Sequence, residues 1–239
     1  MNSMIEISGL SAKYDAEPVL ENVSFTVEQG DYLCIVGTNG SGKSTLLKAM
    51  LGLVKPISGK VVFEGVSGTQ MGYLPQQNEA QRDFPTSVFE VVLSGCAGRK
   101  GLRLTYSRVE KNLAKETLHR LGAEDLARRA YRELSVGQRQ RILLARALCA
   151  TEKILLLDEP AGGLDPMMSA ELYDLLAELH DSGVTIVMVS HDIPSAVRHG
   201  TKILHLDKEI IFYGAAADYP ASDIGKCMCG GCTHEGESV

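Results

Sequence analysis

Gly37-Thr38-Asn39-Gly40-Ser41-Gly42-Lys43-Ser44-Thr45 decides how this chain is read. The stretch fits G-x-x-x-x-G-K-[ST], a phosphate-binding loop. A triphosphate crowds the backbone, so Gly40 and Gly42 leave room for the chain to approach it, and consecutive N–H groups can ring its oxygens. Lys43 offers a point charge to the β- and γ-phosphates, and the Ser44 hydroxyl is placed to hold Mg²⁺. The flanks supply the setting this loop needs. Tyr32-Leu33-Cys34-Ile35-Val36 is a short apolar run of strand type, and Thr45 to Leu51 are good helix formers stopped by Gly52. Strand, glycine loop and helix follow in order, and the helix start adds a dipole that favours an anion.

The chain has 239 residues, 44% of them apolar, enough for one sizeable core or a core with an inserted lobe. Its net charge of −6 does not point to a nucleic-acid partner. The first residues lack the basic-then-apolar pattern of a signal peptide, and no apolar run approaches the roughly 20 residues of a membrane span. A cytosolic protein is expected. Cys34, Cys96 and Cys149 sit in apolar surroundings and read as reduced core residues.

Ile5–Leu10 and Val23–Val27 alternate as half-buried strands. Tyr14, between them, either stacks on a nucleotide base or packs on the core. Strands are expected over Gly59–Gly65 and Gly72–Leu74, the second stopped by Pro75, beyond which Gln76 can reach a metal ion or water. From 83 onward the composition turns helical. Ser87-Val88-Phe89-Glu90 is a capping box, and amphipathic helices are expected over Val109–Leu121 and Asp125–Tyr131. Arg99, Lys100 and Arg103 form either a solvated face or one turned to an anionic membrane.

Ser135 and Gln138 make a second capping box ahead of Ile142–Leu148. The Ser135 hydroxyl, the Gly137 N–H and the helix start form a second anion site, with nothing acidic beside them. Being far along the chain from Lys43, it can serve a phosphate held by another copy. Ile154-Leu155-Leu156-Leu157 is apolar on both faces, as a central parallel strand must be, and ends in Asp158 and Glu159. Ligands sit at the carboxyl ends of such strands. Asp158 suits Mg²⁺, and Glu159 can take the proton of an attacking water. Pro166 starts a helix after Asp165. His191 ends the next buried strand, Val184–Val189, where it can donate to a γ-phosphate.

Together these stretches resemble the ATP-binding subunit of ABC transporters, over residues 4 to about 215. The loop 37–44 matches Walker A, Gln76 the Q-loop, and Leu134–Gln138 the signature motif. Asp158 and Glu159 match the end of Walker B, Leu164-Asp165 the D-loop and His191 the H-loop. Tyr14 falls at the position of the adenine-stacking aromatic. Val136 stands where the family usually has glycine; with helical dihedrals there, as the capping box implies, little changes, whereas a positive φ, which valine does not comfortably take, would weaken closure on ATP. The resemblance implies a P-loop α/β fold with a mostly parallel sheet, an antiparallel β subdomain and an inserted helical subdomain near 84–148, all within 1–218. It implies Mg-ATP hydrolysis at a head-to-tail homodimer interface. There Ser135, Gly137, Gln138 and Asp165 join the partner's nucleotide, and Glu159, His191 and Gln76 act in catalysis. It also implies permease subunits, an extracytoplasmic metal-binding protein, and a place on the cytoplasmic face of the membrane. Met71–Gln76 and Ser87–Gly95 look most like subunits of zinc and manganese uptake systems.

Residues 219–239 read as a flexible tail in which Cys227, Cys229, Cys232 and His234 form a zinc-ligand set or remain reduced and unbound. A different imported solute, or an ABC-type ATPase clamp that moves no solute, stays open as the alternative.

Overall fold

The computed structural model describes residues 3–14, 17–65, 71–76, 86–100, 103–151 and 153–229. In chain order the elements are β1 (Ser3–Tyr14), β2 (Glu17–Glu28), β3 (Tyr32–Val36), α1 (Lys43–Met50), β4 (Ser58–Phe63), β5 (Met71–Leu74) and α2 (Val88–Ser94). They continue with α3 (Ala97–Lys100), α4 (Arg108–Arg120), α5 (Val136–Ala150), β6 (Ile154–Asp158), α6 (Pro166–Asp181), β7 (Thr185–Val189), α7 (Ile193–His199), β8 (Lys202–Asp207), β9 (Glu209–Ala215) and α8 (Asp223–Cys229).

Strands β3, β6 and β7 are buried at every position. A strand without a polar face needs cover on both sides, and alternate residues show where it comes from. Tyr32, Cys34 and Val36 face one core with Leu155, Leu157, Ile186 and Met188, under α2, α4, α5 and α6. Leu33 and Ile35 face a second core with Ile154, Leu156, Val187 and Val189, under α1 and the strands β1 and β2. The main sheet, ordered β5-β6-β7-β3-β8-β9, is therefore the middle layer. It is parallel except for β9, and an antiparallel sheet, β2-β1-β4, covers one side.

Two sequence expectations are corrected. Residues 125–131 are not an amphipathic helix; short 3-10 turns occupy Glu124–Leu126 and Tyr131–Glu133. Part of their backbone pairs with the start of α2 and the residue ahead of its cap instead: Val88 N–H donates to Arg129 O, Phe89 N–H to Ala127 O, and Tyr131 N–H to Thr86 O. The chain also does not leave the domain at 218. Tyr219 is fully buried, its hydroxyl 2.7 Å from His205 Nδ1, and α8 follows. Burying such a ring contributes roughly 1.5–3 kcal/mol, which fastens the segment that the sequence reads as flexible. Of the tail ligand set, Cys227 is exposed on α8, while the Cys229 side chain, Cys232 and His234 lie outside the described residues. Among the described residues no helix is long and apolar enough to cross a membrane.

Candidate functional site

The loop after β3 is shaped by contacts only glycine permits. Gly37 has φ +147°, and a β-carbon there would lie closer than 3.0 Å to the Leu206 carbonyl oxygen of β8. At Gly42, φ +97°, it would lie 2.5 Å from Val19 O. Gly40, φ +82°, faces open space. Lys43 is 5% exposed and curls back over the loop, donating from Nζ to Gly37 O (3.0 Å) and Thr38 O (2.6 Å). Burial pushes its pKa down, opposed by Glu159 and Asp158 nearby. Gly42 gives α1 no side-chain cap, and the first turn holds no acid, so among the described residues the helix start has no negative partner on its own helix, and Lys43 has only the carboxylates of Asp158 and Glu159 nearby. The cradle therefore fits a phosphate, whose oxygens can replace the two carbonyls at Lys43. Ser41 and Thr45 are buried, while Thr38 and Asn39 are exposed at the loop's crest. Tyr14 ends β1, and its side chain lies outside the described residues.

Sheet order explains how the remaining groups meet. Strands β5, β6 and β7 are parallel neighbours, so the residues just past their carboxyl ends stand side by side. Ser44 Oγ donates to Asp158 Oδ1 at 3.0 Å. Asp158 is 2% exposed, and burial chiefly raises its pKa, with the Ser44 hydrogen bond acting against the rise. This hydroxyl and buried carboxylate form an oxygen pair of the kind that suits Mg²⁺. Beyond β6, Glu159 is held from both flanks: Gln76 Nε2, beyond β5, donates to Oε2 at 2.8 Å, and His191 Nε2, beyond β7, contacts Oε1. Glu159 has φ +50°, a left-handed conformation rare outside glycine, and its N–H is tied to Val189 O at 3.1 Å. The backbone thus aims a carboxylate between an amide and an imidazole, where it can accept a proton from water.

Ser135 caps α5, accepting from Gln138 N–H at 3.2 Å while Gln138 Oε1 accepts from Ser135 N–H at 3.0 Å. Val136 is the first residue of α5 and has no positive φ. Ser135, Gly137 and Gln138 make no hydrogen bond to the loop of their own chain among the described residues. Asp165 likewise caps its own helix, accepting from Met168 N–H at 2.9 Å.

Sequence reading missed three participants. Gln140, 3% exposed, donates from Nε2 to Pro160 O, next to Glu159. Met168 packs on Gly137, and Leu206 walls the loop. Only Gln140 left a signal, an amide one helical turn before Leu144 on the buried face of α5.

A family model described as ABC transporter matches residues 20–162. Manganese transport system ATP-binding protein MntB of Bacillus subtilis is 39% identical over 214 residues, covering 88% of this chain and 86% of that protein. Zinc uptake system ATP-binding protein ZurA of Listeria innocua is 37% identical over 227 residues, covering 92% and 88%. An ABC transporter solved in an inward-facing conformation is 31% identical with a TM-score of 0.84, over 95% of this chain and 88% of that one.

Proposed function

The chain belongs to the ABC transporter family of ATP-hydrolysing subunits, and from that premise we propose that it powers uptake of manganese or zinc through a separate permease. The observation that carries the chemistry is the line of Gln76, Glu159 and His191 across three neighbouring strand ends, beside the Ser44–Asp158 pair. The metal is supported by the likeness to MntB and ZurA over most of the chain.

Lys43 and the N–H groups of residues 40–45 bind the β- and γ-phosphates of ATP, and Tyr14 stacks on the adenine. Ser44, Asp158 and Gln76 hold Mg²⁺, which when bound supplies positive charge against the phosphates. Glu159 accepts the proton of the attacking water, His191 orients Glu159 and donates to the γ-phosphate, and Gln76 keeps the carboxylate aimed. Two copies meet head to tail, so Ser135, Gly137 and Gln138 of one chain close on the nucleotide of the other, with Asp165 at the seam. ATP favours the closed pair because only that state contacts the γ-phosphate from both sides, and hydrolysis lets it reopen. The helical subdomain passes this motion to the permease on the cytoplasmic face of the membrane, and an extracytoplasmic protein delivers the metal. Cys227, Cys229, Cys232 and His234 bind zinc as a sensor. Zinc inhibition or activation that survives removal of residues 230–239 would dismiss this last role.

The test is twofold. Glu159→Gln should lower ATP hydrolysis by about 10²–10⁴ while the purified chain still binds ATP; retained hydrolysis removes Glu159 from its role. Cells carrying Lys43→Ala at the native locus, grown on limiting metals, should lose manganese or zinc selectively. Unchanged metal content, with ATPase activity intact in the purified wild type, would leave the ATPase standing and turn the proposal to another solute.

A further inference from the structure

One buried amide spans the two halves of the site. Gln140 lies on α5, two residues past Gln138, and donates to the carbonyl oxygen of Pro160. Pro160 follows Glu159, whose N–H is tied to Val189 O and whose carbonyl accepts from Gly162 N–H at 3.0 Å. The turn that aims Glu159 is therefore held by β7 on one side and by α5 on the other. Besides sharing a core, α5 and α6 meet where Gly137 packs against Met168 and where Arg141 Nη2 donates to Glu171 Oε2 at 3.2 Å. The ion pair is solvent-exposed and weak, and neither of these two pairs includes a residue of the Glu159 turn. Pro160 O is buried with Gln140, and a buried carbonyl left without its donor is costly, so the two are expected to move together.

We propose that Gln140 is a positioning residue that couples the two ATP sites of the dimer. This rests on the head-to-tail reading above. In that arrangement Ser135 and Gly137 of one chain face the partner's nucleotide, while Glu159 of the same chain faces its own. Closure of α5 on the partner's ATP is carried along the helix to Gln140, through Pro160, and into the backbone of Glu159. Each chain's general base is thereby aimed by the occupancy of the other site.

The experiment uses the full chain with two variants. Gln140→Met keeps the side chain's length and removes the donor. Gln140→Glu keeps its shape, but the new carboxyl can donate to Pro160 O only while protonated. ATPase rates are measured against ATP concentration and pH, with nucleotide affinity and melting measured separately. Wild type should show a Hill coefficient approaching the number of sites, about 2. Gln140→Met should lower kcat about tenfold and bring the Hill coefficient toward about 1, with nucleotide affinity unchanged. The activity of Gln140→Glu relative to wild type should rise as pH falls, whereas the ratio for Gln140→Met stays flat. Wild-type cooperativity in Gln140→Met, a flat ratio for Gln140→Glu, or a non-cooperative wild type overturns the proposal. Glu159→Gln, run with ATP by light scattering, separates the two readings. If it dimerises, the outcome judges Gln140 alone; if it stays monomeric, the head-to-tail reading falls and this inference with it.

Discussion

Gly37 and Gly40 have the same chemistry and should fail in opposite ways when replaced by alanine. At Gly37 two costs add. A φ of +147° belongs to a region nearly reserved for glycine, worth roughly 1–3 kcal/mol to any other residue. The new β-carbon would also overlap the Leu206 carbonyl; a backbone oxygen cannot rotate away, which adds roughly 1–3 kcal/mol of overpacking. Gly37→Ala should thus destabilise by roughly 2–6 kcal/mol, a drop in melting temperature of about 4–24 °C for a chain of this size. At Gly40 only the left-handed φ of +82° counts, because nothing lies within 4 Å. Gly40→Ala should cost roughly 1–2 kcal/mol and keep its fold. Its methyl group stands on the loop's open side, where phosphate must approach, so ATP affinity should fall at least about tenfold. Urea unfolding and titration with a fluorescent ATP analogue measure both quantities. Equal destabilisation by the two substitutions, or undiminished affinity in Gly40→Ala, would refute the division between a glycine for packing and a glycine for binding.

The remaining predictions concern caps and protons. Ser107→Ala and Ser135→Ala each break a capping box, so each should cost about 1 kcal/mol in urea unfolding; only Ser135→Ala should also depress ATP hydrolysis, and an equal loss from both would deny Ser135 a role beyond its helix. Burial holds the His205 pKa below the usual imidazole value, so on acidification the unfolded chain takes up that proton first. The His205 contribution to stability should be constant above about pH 6.5, where its ring is neutral in both states. This contribution should fall below that pH at up to about 1.4 kcal/mol per pH unit, until the folded-state pKa is reached. Unfolding midpoints of His205→Gln between pH 5 and 8 should show a correspondingly shallower slope, and an unchanged slope would acquit His205.

What could be read in the sequence followed from how local each determinant is. The runs at Tyr32–Val36 and Ile154–Leu157 have no polar face, so their place in the middle layer needs no tertiary knowledge. The capping boxes at Ser87 and Ser135 close within four residues. Residues 125–131 carry a fair helical pattern, yet the first residues of α2 take the carbonyls of Ala127 and Arg129, and no periodicity records a hydrogen bond to a distant element. Tyr219 has the same history: its anchor is His205, fourteen residues earlier on β8. The meeting of Gln76, Glu159 and His191 depends on the order β5-β6-β7, which sequence order does not reveal. Gln140 was visible as a polar residue on an apolar face, but its partner was not.

The backbone of Glu159 has a consequence for the history of such chains. Its left-handed φ costs roughly 1–2 kcal/mol that glycine would not incur and asparagine would incur less of. Substitution to either would relax the turn while removing the carboxylate proposed to accept the proton. Either substitution at this position therefore stabilises the fold while lowering fitness. A duplicated copy released from selection would be expected to lose hydrolysis there early, persisting as a well-folded subunit that still binds ATP.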